Sequence, residues 1–104
     1  MRWTVLFDEA FEDEFNELPE AVQDELLAQA KLLEMFGPTL GRPRVDTLKG
    51  SRHANMKELR FDADGGVWRV AFAFDPKRRG VYDPHLTLTG ARATIPSASN
   101  TVTA

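Results

Sequence analysis

The sequence contains no cysteine. Disulfides and thiolate metal sites are therefore excluded, and a reducing compartment is compatible. Its two histidines and scattered acids show no ligand spacing, so no metal and no cofactor is expected. A glycine-rich phosphate loop of the nucleotide-binding kinds is also missing. No apolar run approaches the roughly 20 residues of a membrane helix. The opening segment, Trp3-Thr4-Val5-Leu6-Phe7-Asp8-Glu9, meets acid at once and does not read as a secretory signal. A cytoplasmic protein without a membrane partner is expected. What remains is 104 residues, 42% hydrophobic and 28% charged, which suits one ordinary globular domain.

The formal charge of −3 hides a strong division. Residues 1–35 carry 2 basic and 10 acidic side chains, whereas residues 36–79 carry 10 basic and 5 acidic. A small domain with an acidic third and a basic third presents two different surfaces, and the basic one suits phosphate.

Trp3, Val5 and Phe7 alternate and predict a short strand. Asp8 is placed to cap a helix in which Phe11, Phe15 and Leu18 form one stripe. Pro19 stands where a second helix would begin, Val22, Leu26, Ala30 and Leu33 line its inner face, and Gly37-Pro38 ends it. Residues 8–36 thus predict a helical hairpin with one apolar face. Residues 37–55 show no period and predict a loop, rich in Arg42, Arg44, Lys49, Arg52 and His53.

Met56–Phe61 and Val67–Phe74 alternate again around Asp62-Ala63-Asp64-Gly65-Gly66, a strong hairpin signal. Asp75-Pro76-Lys77-Arg78 then fits a turn into a third strand over 79–82. In the hairpin, Phe61 faces Trp68, Leu59 faces Val70 and Arg60 faces Arg69. The apolar pairs belong under the helices, so the two arginines meet on the other face, beside Glu58 and over Ala71 and Ala73. Like charges directly opposite one another cost about 0.2–1 kcal/mol. Glu58 relieves part of that, and an anion would relieve the rest. An alanine-floored patch with two arginines is a candidate site for a nucleic-acid phosphate.

Such a patch has catalytic potential as well. Strand cleavage by the RNA's own 2′-OH needs a base, an acid and a stabiliser of the phosphate charge. Arg60 and Arg69 fit the stabiliser, and His53 or Glu58 the base, unless Glu58 serves to hold the arginines. Histidine as a residue type changes charge near neutral pH, which makes His53 a candidate, while His85 is a weaker one. A solvated Arg-Glu-Arg surface cluster without function is the alternative.

The run Leu48-Lys49-Gly50-Ser51-Arg52-His53 into Met56-Lys57-Glu58-Leu59-Arg60-Phe61, followed by a glycine turn and Trp68-Arg69-Val70-Ala71-Phe72, resembles the RelE/HigB-type toxins of bacterial toxin–antitoxin modules. The phage-related HigB subgroup is the nearer match, over residues 1–79. The resemblance implies an α+β, RelE-like fold, with an N-terminal strand and helical hairpin packed on an antiparallel β-sheet. It implies a ribosome-dependent mRNA endonuclease that works without metal, and a cognate antitoxin, often a helix-turn-helix protein, as partner. By position, Arg60 and Arg69 match the phosphate-binding arginines, Glu58 the sheet acid, and Lys49 and Arg52 the basic loop. Lys57, Arg42 and Arg44 add to the RNA-binding set.

The chain departs from that pattern after Arg79. The apolar strand and the basic, aromatic terminal helix of the family are not apparent. A toxin domain over 1–88 and an atypical, disordered tail over 89–104 are expected. Tyr82 and Arg92 are weak candidates to substitute for the missing catalytic groups. Loss of the last strand would bare a sheet edge and favour a homodimer. Two other readings stand beside the nuclease. One is a ParE-type inhibitor that binds a protein target. The other is an inactive relic that binds only its antitoxin.

Overall fold

The computed structural model describes residues 2–48, 56–78 and 80–94. The chain runs β1 (Thr4–Phe7), α1 (Glu9–Asn16), α2 (Glu20–Phe36), a short 3-10 turn (Gly37–Thr39), β2 (Val45–Thr47), β3 (Met56–Ala63), β4 (Gly66–Arg78) and β5 (Val81–Thr94). This is the expected α+β arrangement. The sheet order is β1-β5-β4-β3-β2. It is mixed, not antiparallel throughout, because β1 lies parallel to β5.

Local chemistry explains the elements. The Asp8 carboxylate accepts from the Ala10 N–H at 3.2 Å and starts α1. Gln23 Nε2 donates to the Phe15 carbonyl at 2.8 Å, tying the second helix to the end of the first. The β3–β4 turn is tight. Ala63 pairs with Gly66, and Asp64 and Gly65 between them both have positive φ, as a type I′ turn demands. That turn gives the predicted register, with Leu59 opposite Val70, Arg60 opposite Arg69 and Phe61 opposite Trp68.

The core lies between the helices and one face of the sheet. Phe11, Val22, Leu26 and Leu33 come down from α1 and α2 onto Leu59, Phe61, Val70, Phe72, Leu86 and Leu88. Each such side chain contributes about 1.5–3 kcal/mol by leaving water. Two aromatic groups close the layer. Phe7 packs on Phe11 and Phe15, and Trp3 meets Phe74 edge-on with ring centres 5.1 Å apart. Among the described residues, no helix is long and apolar enough to cross a membrane.

Three expectations are corrected. The period-free stretch contains β2, three residues too short to show alternation. β4 does not turn at Pro76 but continues to Arg78. β5 is a long strand over 81–94, in place of a short one over 79–82 and a tail from 89. Proline and bulges hid it. Pro76 and Pro84 sit at one register shift, and a second falls between Ala71 and Phe72. β5 fills the sheet between β1 and β4, so the premise of a bared edge from a lost last strand does not hold. Residues 95–104 lie outside the described residues.

Gly37 fastens the two ends of the helical layer. It caps α2 with φ of +52°, and its N–H donates to the Leu33 carbonyl. A Cβ on it would run into the Trp3 indole. Trp3 is itself held by its N–H on the Glu34 carbonyl at 2.9 Å. Gly37→Ala is expected to destabilise the fold by about 1–3 kcal/mol, through the clash and the positive φ together. Thermal melting checks this, at roughly 4–8 °C per kcal/mol, and an unchanged midpoint would contradict it.

Candidate phosphate-binding face

Two rows of side chains cross the sheet on the face turned away from the helices. In one row Asp46, Glu58, Ala71 and Gly90 stand opposite one another on β2, β3, β4 and β5. In the next row Arg60, Arg69 and Arg92 stand abreast on β3, β4 and β5. Arg60 is further tied to the loop before β2, its N–H donating to the Arg44 carbonyl at 2.7 Å.

Glu58 organises this row. It is only 8% exposed, and its two oxygens face different arginines. Oε2 accepts from Arg92 Nη2 at 3.0 Å, and Oε1 lies 3.5 Å from Arg69 Nε. Arg69 also donates to the Thr94 hydroxyl at 3.3 Å. A nearly buried carboxylate without partners would be costly, and here both oxygens have one. Arg60 is exposed and has no hydrogen bond or ion pair through its side chain among the described residues. The two rows therefore hold three arginines and two carboxylates, but Asp46 is engaged by Arg42 and Glu58 by Arg69 and Arg92, so the guanidinium without a side-chain partner among the described residues is that of Arg60. Two adjoining cavities flank the Glu58–Arg92 pair. One, of about 240 Å³, is lined by Arg60, Thr47 and Asp46. The other, of about 210 Å³, is floored by Ala71 and Gly90.

The predicted residues divide into three groups. Glu58, Arg60 and Arg69 come together as the register required. Lys57 does not join them. It pairs with the core residue Phe72 and so points to the helix side, into a separate depression with Arg42, Leu40 and Phe74. Arg42 is engaged with Asp46 at 3.1 Å, and Arg44 is exposed beside Arg60. Lys49, Arg52 and His53 lie outside the described residues. His85 is buried elsewhere, its ring Nδ1 donating to the Asp83 carbonyl at 2.8 Å and Nε2 lying 4.0 Å from Asp75. Tyr82 lies at the opposite end of β5 from Arg92.

Arg92 is the residue that sequence reasoning undervalued, and the bulge explains why. From Leu86 and Leu88 in the core, strict alternation would turn Gly90 and Arg92 toward the helices. Phe72 pairs with Leu88 but Ala71 pairs with Gly90, so Thr89 is an extra residue on β5. That residue inverts the facing of everything after it, sending Ala91 to the core side and Arg92 to the open side. The alternation of Leu86-Thr87-Leu88-Thr89 was the signal available for the strand; the inversion had none.

The chain belongs to the family described as phage derived protein Gp49-like, whose profile matches residues 13–82. It is similar to two curated proteins of Mycobacterium tuberculosis. One, named "Putative toxin HigB2", is 46% identical over 67 residues, which is 64% of this chain and 33% of that protein. The other, named "Putative toxin HigB3", is 56% identical over 50 residues, which is 48% of this chain and 42% of that protein. The matches thus span less than half the length of either relative. The expected resemblance to HigB-type toxins is borne out by these matches. No solved structure matches the chain. Arg60 and Arg69 fall within the stretch that the family profile covers, and Arg92 lies beyond it.

Deleting Thr89 tests the role of the bulge. Gly90 would then follow Leu88 directly, still opposite Ala71, so regular alternation keeps Ala91 on the core side and Arg92 on the open side. The deletion is expected to cost at most about 1 kcal/mol, as a surface change does. Urea unfolding midpoints measure it. A loss of about 3–5 kcal/mol, the cost of an unpaired charge turned into the core, would show that Thr89 is not the extra residue.

Proposed function

We propose that this protein is the toxin of a toxin–antitoxin pair and acts as a metal-independent endonuclease on ribosome-bound mRNA. The observation that carries this reading is the row of three arginines, with one of them uncompensated, on the face opposite the acidic helices. Two curated relatives named as toxins support it.

In the proposed reaction the RNA 2′-oxygen attacks the adjacent phosphorus. A 2′,3′-cyclic phosphate forms, the bond to the 5′-oxygen breaks, and the leaving oxygen takes up a proton. Arg60 supplies charge to the phosphate oxygens as the attack adds negative charge there. Glu58, with both oxygens engaged by guanidinium groups, is a positioning residue for Arg69 and Arg92 in this scheme. His53 is the proposed base. A cognate antitoxin of the helix-turn-helix kind is the proposed partner, neutralising the basic face.

Arg60→Ala and Arg69→Ala are each expected to lower ribosome-dependent mRNA cleavage by about 100-fold or more. Arg60→Ala should leave stability within about 0.5 kcal/mol, since the side chain is exposed. Cleavage by purified protein with and without ribosomes, beside a melting curve, is the measurement. Full cleavage by both variants would remove the site. Growth arrest without cleavage would favour a protein-target inhibitor, and no arrest at all a binding-only relic.

A further inference from the structure

The cavity floored by Ala71 and Gly90 differs from its neighbour around Arg60. Its walls are mostly apolar, with Leu48 and Ala91 beside the floor. Nothing lies within 4 Å of the place a Cβ on Gly90 would take, so the floor is open to an incoming flat group. Arg69 and Arg92 stand along one side, and guanidinium planes stack readily on aromatic rings. Both cavities share Leu48, Glu58 and Arg92. One nucleotide of a single strand could therefore place its phosphate by Arg60 and a base in the apolar cavity.

One acid at this rim belongs to neither row. Glu14 comes from α1, and its Oε1 accepts from the Ala91 N–H at 2.8 Å. Its Oε2 has no hydrogen bond or ion pair among the described residues. A carboxylate is an acceptor only. Guanine is the base whose Watson–Crick edge offers two neighbouring donors, N1–H and the N2 amino group. Adenine and cytosine each set one amino group beside an acceptor, and uracil sets one N–H between two carbonyls.

We propose that this cavity is a nucleobase subsite that selects guanine in single-stranded RNA through the Glu14 carboxylate. The inference rests on the RNA-binding reading above and adds to it the base that is read. Recognition of splayed bases by stacking and edge hydrogen bonds is the ordinary mode for single-stranded RNA.

The test uses the full chain and two fluorescent hexaribonucleotides, one all adenine and one with a central guanine, read by anisotropy. The wild-type protein is expected to bind the guanine strand about tenfold more tightly. Glu14→Gln retains an oxygen for the Ala91 N–H, so a purely structural role would survive it. The variant is expected to bring the ratio of affinities to within about twofold of one, with the loss falling on the guanine strand. Arg60→Ala should weaken both strands and keep the ratio. Equal wild-type binding of the two strands, or an E14Q variant that keeps the preference, overturns the guanine subsite and leaves the RNA reading standing. No binding of either strand by the wild-type protein also overturns the subsite, whereas the RNA reading is overturned separately, by loss of ribosome-dependent cleavage.

Discussion

A single carboxylate determines whether the basic face can exist. Arg60, Arg69 and Arg92 stand side by side because the apolar register of β3, β4 and β5 leaves them no other place. Their mutual repulsion, at about 0.2–1 kcal/mol for each adjacent pair, is small beside the burial of Leu59, Val70 and Phe72 on the reverse side. The core therefore wins, and the arginines must be accommodated. Glu58 does so by taking one guanidinium on each oxygen. Because Arg92 is largely exposed and Arg69 only partly buried, water screens both pairs, and their contribution to stability is modest. Their main effect is geometric. They fix two of the three cations and leave Arg60 free to meet an anion.

The division of charge along the chain becomes a division in space. The helices carry Glu9, Glu12 and Glu20 in their first turns and no basic residue in their last turns. The sheet face carries the arginines. Layers of a folded domain pack roughly 10 Å apart, while charges in physiological salt are screened over about 8 Å. The two surfaces therefore act almost independently on anything that approaches. A polyanion meets repulsion from the helical side and attraction from the sheet side, so the fold orients its encounter before any specific contact forms.

Much of this arrangement was legible in the sequence wherever period and chemistry agreed. The Asp8 cap, the Val22-Leu26-Leu33 stripe and the Asp64-Gly65 turn each combine a local signal with a global role, and each appears where expected. The pairing of Arg60 with Arg69 followed from the turn alone. Legibility failed where length or alternation was broken. β2 has three residues, too few to show a period. Lys57 was grouped with the basic residues by its charge, although alternation already set it on the same side as Leu59 and Phe61. In β5 the extra Thr89 reverses the facing of the residues after it, and no composition rule reveals one inserted residue.

That inserted residue also explains why the first helix bears on the site. β1 ends at Phe7, opposite Leu88, so β5 continues beyond its parallel neighbour with one edge unpaired. Two groups close that edge. The Asp8 N–H donates to the Leu88 carbonyl at 2.9 Å, and Glu14 accepts from Ala91. Past the bulge, one short stretch of β5 must bury Ala91 against the core, present Arg92 to Glu58 and satisfy its own backbone from α1. Phe11 and Phe15, on the same helix as Glu14, pack with Phe7 at the end of β1. The packing that stabilises the fold thereby sets the position of the last arginine. A change in the seating of α1 would be transmitted to Arg92 through one carboxylate and one backbone N–H, without disturbing the β3–β4 hairpin that holds the other two.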